Sequence, residues 1–231
     1  MKKPYVICHM VMSVDGCVTG DFLFQKEAQA ATEVYYELNR SYKADAFACG
    51  RITMEESFTQ KWYPSLEEFS ECEEKTDFVP VEKSSFYAVA FDSKGKLGWK
   101  SNKIVDDDPG YNEARIIEVL TEQVDLKYLS YLRKMKIPYI FAGKTEIDIC
   151  LALSKLKELF SIEKLLLEGG SEINGAFQRA DAIDELSLVV CPLVSSAESK
   201  PLFFRSVNSV FSFERFEEKN NVPVLTYKKK D

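Results

Sequence analysis

A chain of 231 residues can bury one sizeable core without requiring a second domain, and a single domain over 1–231 is the expectation. Its 37 Asp and Glu against 30 Lys and Arg disfavour nucleic acid or an anionic membrane surface as the main partner, and the Lys228-Lys229-Lys230 tail is too short to reverse that. No apolar run approaches the roughly 18 residues of a membrane helix, and Met1-Lys2-Lys3-Pro4 leads straight into a strand pattern. A cytoplasmic, unprocessed protein with no membrane partner is expected. The six cysteines, Cys8, Cys17, Cys49, Cys72, Cys150 and Cys191, include no C-x-x-C pair and are expected to be reduced. His9 is the single histidine and falls inside the first strand pattern, so it reads as a packed residue and no metal site is expected.

Residues 5–12 are an apolar run of strand formers, closed by the turn chemistry of Ser13-Val14-Asp15-Gly16. Asp15 is either a turn former or, if the strand end faces a site, a functional carboxylate. Over 29–42, Ala31, Val34, Tyr35, Leu38 and Tyr42 recur at helical spacing. A short strand at 44–49 follows, and Gly50-Arg51-Ile52-Thr53 breaks it to start a second helix with Thr53 as the expected cap. Arg51 fits either a phosphate held bidentately or a surface salt bridge. Residues 61–84, loaded with Glu67, Glu68, Glu71, Glu73, Glu74 and Asp77, read as an inserted, partly mobile excursion.

Strand patterns then recur at 86–91, 115–120 and 138–142, with an irregular stretch carrying Leu97, Trp99 and Ile104 and a solvent-facing loop at 106–110 between the first two. Helices are predicted around Leu126, Leu129, Leu132 and Met135, and over 146–160 with Ile149, Leu153, Leu156 and Phe160 on one face. Leu165-Leu166-Leu167 is a short strand buried on both faces, Gly169-Gly170 a turn, and Ser171 the expected cap of a helix whose buried stripe is Ile173, Ala176, Phe177 and Ala180. The chain closes with a hairpin, 211–217 and 222–228, turning at Asn220-Asn221. Alternating strands and helices with antiparallel strands at the end predict an α/β fold: a mostly parallel sheet, helices on both faces and a C-terminal antiparallel hairpin.

Several predicted strands end in glycine or small polar residues: Ser13-Asp15-Gly16, Gly50-Arg51-Thr53, Thr121, Gly143 and Glu168-Gly169-Gly170. In open α/β sheets ligands bind beyond those ends. Free N–H groups at two helix starts suit phosphates, although a tight turn beside a solvated Glu168 accounts equally well for the Gly169-Gly170 stretch taken alone. Neither G-x-G-x-x-G nor G-x-x-x-x-G-K-[ST] is present, so the residues by themselves lead no further than a phosphate-bearing ligand.

The order of Ser13-Val14-Asp15-Gly16, Gly50-Arg51-Ile52-Thr53, Glu168-Gly169-Gly170 and Asp184-Glu185-Leu186 with Pro192 resembles the dihydrofolate reductase-like superfamily. Within it the chain is similar to the reductase domain of bacterial riboflavin biosynthesis proteins. The resemblance implies a three-layer fold, a homodimer, a small-molecule substrate and NADPH as cofactor. By similarity, Arg51 and Thr53, after Gly50, would hold the adenosine 2′-phosphate and diphosphate. Thr121 and Gly143 would line the adenosine side, and Gly169, Gly170 and Ser171 would face the diphosphate near the nicotinamide. Hydride transfer to a C=N or C=O carbon of a pyrimidine- or pterin-like substrate follows, with Ser13, Asp15 and Glu168 on the substrate side and Asp15 and Glu168 as candidates for proton delivery. Two positions depart from the riboflavin pattern: Cys17 stands where a lysine follows Asp-Gly, and 54–60 lacks the Asp-x-Pro-x-Leu-Thr-x-Arg segment. They count against reduction of the phosphoribosylamino-uracil intermediate more than against NADPH binding. Cys17 also favours an alternative, a nucleotide-binding protein without catalysis, and a structural dimer of the same fold is a third reading.

Overall fold

The computed structural model describes residues 2–72 and 74–230; Met1, Glu73 and Asp231 lie outside the described residues. In chain order the elements are β1 (Tyr5–Ser13), α1 (Gln29–Tyr42), β2 (Ala46–Gly50), α2 (Arg51–Met54) with a π turn at Glu55–Thr59, β3 (Tyr87–Phe91), β4 (Arg115–Leu120), α3 (Leu126–Lys134), β5 (Tyr139–Phe141), α4 (Ile149–Phe160), β6 (Lys164–Leu167), α5 (Ser171–Arg179), β7 (Glu185–Cys191), β8 (Phe211–Lys219) and β9 (Val222–Lys229). This is the mixed α/β class expected, mostly parallel with an antiparallel C-terminal hairpin. The elements fall into two compact units, Met1–Pro4 with Asp45–Glu163, and Tyr5–Ala44 with Lys164–Asp231. None of the described helices is long and apolar enough to cross a membrane.

The first unit holds four parallel strands in the order β5-β4-β3-β2. Residues are buried throughout β3, β4 and β5, as strands covered on both faces require; β3 and β5 are continuous apolar runs, whereas β4 also buries Arg115 and Glu118. The helices α3 and α4 begin where an aspartate supplies an acceptor: Asp125 takes the N–H of Lys127 at 2.8 Å, and Asp148 takes that of Leu151 at 3.0 Å. That cap is why α4 starts at Ile149 and not at Glu146. Between β3 and β4, the irregular stretch buries Leu97, Trp99 and Ile104.

One polar group lies deep in this unit. Glu118, on β4, has no solvent exposure; its Oε1 accepts from the indole N–H of Trp99 and from the hydroxyl of Tyr128 at 3.3 Å, while Oε2 has no partner. Burial, and then the nearby Asp92, hold its carboxyl well above the usual carboxylate range.

Among the described residues of 61–84 there is no helix and no strand beyond a single bridge at Phe78, and several of them are tied to the rest of the unit. The Tyr63 hydroxyl donates to the Gly95 carbonyl at 2.9 Å, and the Cys72 N–H to the Leu126 carbonyl at 3.2 Å. Phe78 exchanges two backbone hydrogen bonds with Tyr139 of β5, of 2.9 and 3.0 Å. Asp77 accepts from the Phe141 N–H at 2.8 Å and from the Lys155 ammonium at 2.7 Å, and that ammonium also meets the Phe141 carbonyl. Glu67, Glu68, Glu71 and Glu74 are exposed, whereas Asp77 holds the segment to β5 and α4.

The second unit orders five strands β6-β1-β7-β9-β8, the first three parallel and the last two antiparallel. Helix α1 spans the predicted 29–42, with Ala31, Val34 and Leu38 packed on Val11, Val189, Cys191, Val222 and Val224. His9 of β1 is fully buried; its ring stacks on Tyr35 at 4.4 Å, Nε2 lies 3.0 Å from the Tyr35 carbonyl and Nδ1 2.9 Å from the Ser187 hydroxyl. A carbonyl can only accept, so the proton sits on Nε2 and the ring is neutral. Burial pushes its pKa down to about 4. Three cysteines, Cys8, Cys49 and Cys191, are buried as core residues, whereas Cys150 is exposed on α4; none of the six forms a disulfide.

Helix α5 departs from expectation in two ways. Gly170 is its N-cap, and Ser171 is already helical, its hydroxyl donating to the Pro201 carbonyl at 2.5 Å and accepting from no N–H of the helix end as a cap would. The buried stripe comprises Ser171, Asn174, Gly175, Phe177 and Gln178, with Ile173 and Ala176 only half-buried. The cause is what covers the helix: a polar backbone segment. Gln178 donates to the Val207 carbonyl and accepts from its N–H, and Arg179 donates to the Phe204 carbonyl. A Cβ at Gly175 would stand 2.0 Å from the Phe204 carbonyl oxygen, a contact that glycine alone permits. Gly175→Ala is therefore expected to cost about 1–3 kcal/mol in urea unfolding by forcing the 201–209 segment off the helix; an unchanged midpoint would mean that the segment yields freely.

Candidate active site

In the first unit, Gly50 ends β2 with extended backbone and Arg51 opens α2. Thr53, predicted as the cap, lies inside this short helix; Gly50 holds the cap position because the chain turns helical three residues earlier. Arg51 donates to the Glu55 carboxylate at 2.9 Å, the surface ion pair that had been its alternative reading. It also lines a cleft of about 480 Å³ together with Glu55, Tyr63, Asp92, Ser93, Lys94 and Lys96. Three cations against two carboxylates make this an anion-accepting hollow at the carboxyl ends of β2 and β3. Asp92 is buried: Oδ2 accepts from the N–H groups of Lys96 and Leu97, which fixes the turn that carries the lysines, while Oδ1 has no partner. Burial raises its pKa above the usual carboxylate range.

Thr121 stands behind the cleft wall. Its hydroxyl and its N–H both reach the Ser93 carbonyl, at 2.6 and 3.1 Å, and the next residue, Glu122, donates its N–H to Gly143 at 3.1 Å. Gly50, Arg51, Thr121 and Gly143 are thereby linked through the β3 turn. Lys94 and Lys96 were not read as site residues because they stand in an ordinary Asp-Ser-Lys-Gly turn; two lysines flanking a turn glycine after a buried strand were the available signal.

In the second unit, Ser13 is fully buried at the end of β1, and its hydroxyl accepts from the Cys17 N–H at 3.0 Å. Asp15 is exposed and accepts twice from Ser195, from the N–H at 3.0 Å and from the hydroxyl at 2.6 Å. Hydrogen bonds from Ser13 and Ser195 hold its carboxyl well below the usual carboxylate range, so it is an anion and an acceptor. The Cys17 thiol lies 3.9 Å from it. Glu168, one residue beyond β6, is buried at 6% exposure and takes a 2.6 Å hydrogen bond from the Asn39 amide of α1.

Gly169 has φ +93, and a Cβ there would strike the Met10 side chain at 2.9 Å; the Gly169-Gly170 peptide is cis. Beneath it, Asn174 of α5 is fully buried with neither amide atom hydrogen-bonded, its Nδ2 3.8 Å from where that Cβ would stand. The 195–204 segment joins these parts. Ser195 meets Asp15, Pro201 bridges to Cys17 and accepts from Ser171, and Leu202 donates to the Gly16 carbonyl at 3.0 Å. Asp15 and the start of α5 are thus held by one strap. Sequence reading passed over Ser195, Asn39 and Asn174, whose roles depend on partners more than a hundred residues away or on burial inside a helix.

Together these features describe a mixed α/β protein with a cationic cleft in one unit and, in the other, the carboxylates Asp15 and Glu168, the latter beside a glycine turn. The chain belongs to the RibD C-terminal domain family, whose sequence profile it matches over residues 4–210. It shares its fold with RibD of Acinetobacter baumannii, at 17% identity and TM-score 0.68 over 99% of this chain, and spans 58% of that longer protein. A pyrimidine reductase-like protein of Corynebacterium diphtheriae matches at 16% identity and TM-score 0.66, over 99% of this chain and 92% of its own. The riboflavin biosynthesis reductase Rib7 of Saccharomyces cerevisiae matches at 15% identity and TM-score 0.59, with 99% and 90% covered. The curated proteins give no match.

Proposed function

We propose that the chain is an NADPH-dependent reductase acting on a C=N or C=O carbon of a small pyrimidine- or pterin-like heterocycle. Family membership supports an oxidoreductase, and the observation that carries the cofactor reading is the cleft lined by Arg51, Lys94 and Lys96. Its charge and size suit a phosphate monoester such as the adenosine 2′-phosphate, with Thr53 at the same corner and Thr121 and Gly143 behind it. The second fit is the glycine turn: the unpartnered Asn174 amide and the N–H groups opening α5 at Gly170 and Ser171 suit a diphosphate. When bound, the cofactor supplies the hydride. The chain's own task is then to orient the acceptor carbon, exclude water and manage one proton. Asp15, held ionised by Ser195, anchors substrate N–H or O–H groups, and Glu168 is the carboxylate assigned to the proton.

NADPH at tens of micromolar is expected to quench tryptophan fluorescence and raise the melting temperature, and NADH to do so more weakly. Arg51→Ala, Lys94→Ala and Lys96→Ala should each weaken NADPH about tenfold or more while changing NADH little, in line with loss of one charge-assisted contact. Equal losses for both nucleotides would move the 2′-phosphate away from this cleft; no response to NADPH in the parent protein would end the cofactor reading. Cys17 in the place of the family's lysine favours the second reading, nucleotide binding without catalysis, which turnover of a pyrimidine and pterin panel at the nicotinamide absorbance would exclude.

A further inference from the structure

We propose that Asn39 is a positioning residue for Glu168, an inference that rests on the assignment of Glu168 to the reaction. Asn39 lies in the interior of α1, on the stripe that also buries Ala31, Val34 and Leu38, and keeps only 4% of its surface exposed. An amide is a costly occupant of such a place: asparagine is a weak helix former, and a leucine would fill the space without desolvating polar atoms. What the amide does there is donate to Glu168 Oε1 at 2.6 Å, across 129 residues of sequence. Glu168 has left the β6 ladder and precedes a glycine whose φ is +93, and its side chain has three rotatable bonds. The Asn39 N–H ties one carboxylate oxygen, Oε1, to a fixed point on α1. Since the donor belongs to a helix packed on the core and not to the glycine turn, the carboxylate keeps its aim when the turn adjusts to a ligand.

The test uses the full-length protein with NADPH and 5-amino-6-(5-phosphoribosylamino)uracil as probe, together with carbon-13 NMR of the glutamate carboxyl groups, the Glu168 resonance being identified by its loss in Glu168→Gln. Asn39→Leu is expected to shift the Glu168 resonance and leave most other glutamates in place, to lower kcat at least tenfold and to leave the Kd for NADPH unchanged. Asn39→Gln, which keeps a donor, should recover part of kcat. In the Glu168→Gln background Asn39→Leu should cost nothing further. An unmoved Glu168 resonance in both Asn39 variants, or an equal kcat loss with and without Glu168, overturns the proposal. The underlying reading fails separately: if Glu168→Gln turns over the probe at the parent rate, Glu168 is not part of the reaction, whatever its resonance does in the Asn39 variants. Should the parent protein not consume the probe, the resonance arm alone decides whether Asn39 orients the carboxylate.

Discussion

Glu118→Ala is expected to destabilise the protein by about 3–5 kcal/mol in urea unfolding, because it leaves the buried Trp99 indole N–H without its Glu118 acceptor and opens a cavity beside Trp99 and Tyr128, whose hydroxyl keeps the Leu97 carbonyl at 2.7 Å. Glu118→Gln should behave differently. Its carbonyl can still accept from Trp99, and an uncharged group replaces a carboxyl that burial already keeps from ionising. The pH dependence follows from the direction of that shift. With its pKa raised on folding, Glu118 contributes stability that is fully present below the ordinary glutamate range and is lost as pH rises toward its folded pKa. Wild-type stability should therefore carry a downward alkaline slope that Glu118→Gln flattens, measured as urea midpoints from pH 5 to 9. Equal slopes for the two proteins would show that Glu118 is ionised in the fold.

The second large effect has the opposite sign. His9 titrates near 4 in the folded protein against about 6.5 when unfolded, so the unfolded chain binds its proton first. Its contribution is fully present above pH 6.5 and is lost as pH falls toward 4, a total of about 3 kcal/mol at 1.4 kcal/mol per pH unit. Protonation would place a charge in the stack with Tyr35 and bring a second ring N–H against Ser187, whose hydroxyl can turn to accept but cannot replace lost hydration. His9→Gln, an amide able to meet both partners, should remove the slope between pH 6.5 and 4 while lowering stability at pH 7 through imperfect packing. A slope that persists in the variant would assign the acid loss to carboxylates.

Element type was readable wherever one period dominated. Ala31, Val34 and Leu38 mark the apolar stripe of α1, and the continuous apolar run of β3 could belong only to a strand covered on both faces. Periodicity misplaced the buried stripe of α5 because that helix packs on the main chain of 201–209, and a backbone has no hydrophobic signature. For the same reason Ser171 and Thr53 looked like caps: each is a good capping type one or more residues past the glycine that takes the position. Of the site, the glycine corners and carboxylates stood out as local motifs. Asn39, Ser195 and the lysine pair did not, since a polar residue in a helix or turn looks solvated until tertiary contacts bury it or aim it.

The cover on β5 has a consequence for the behaviour of many molecules at once. A terminal strand of a parallel sheet normally presents a row of unmet N–H and C=O groups, a template onto which another chain can add. Here each such group of Tyr139 and Phe141 is already taken, by Phe78, Asp77 and Lys155. The excursion is thereby a built-in guard against intermolecular strand addition: with Asp77 and Phe78 it occupies the growth site of an aggregate.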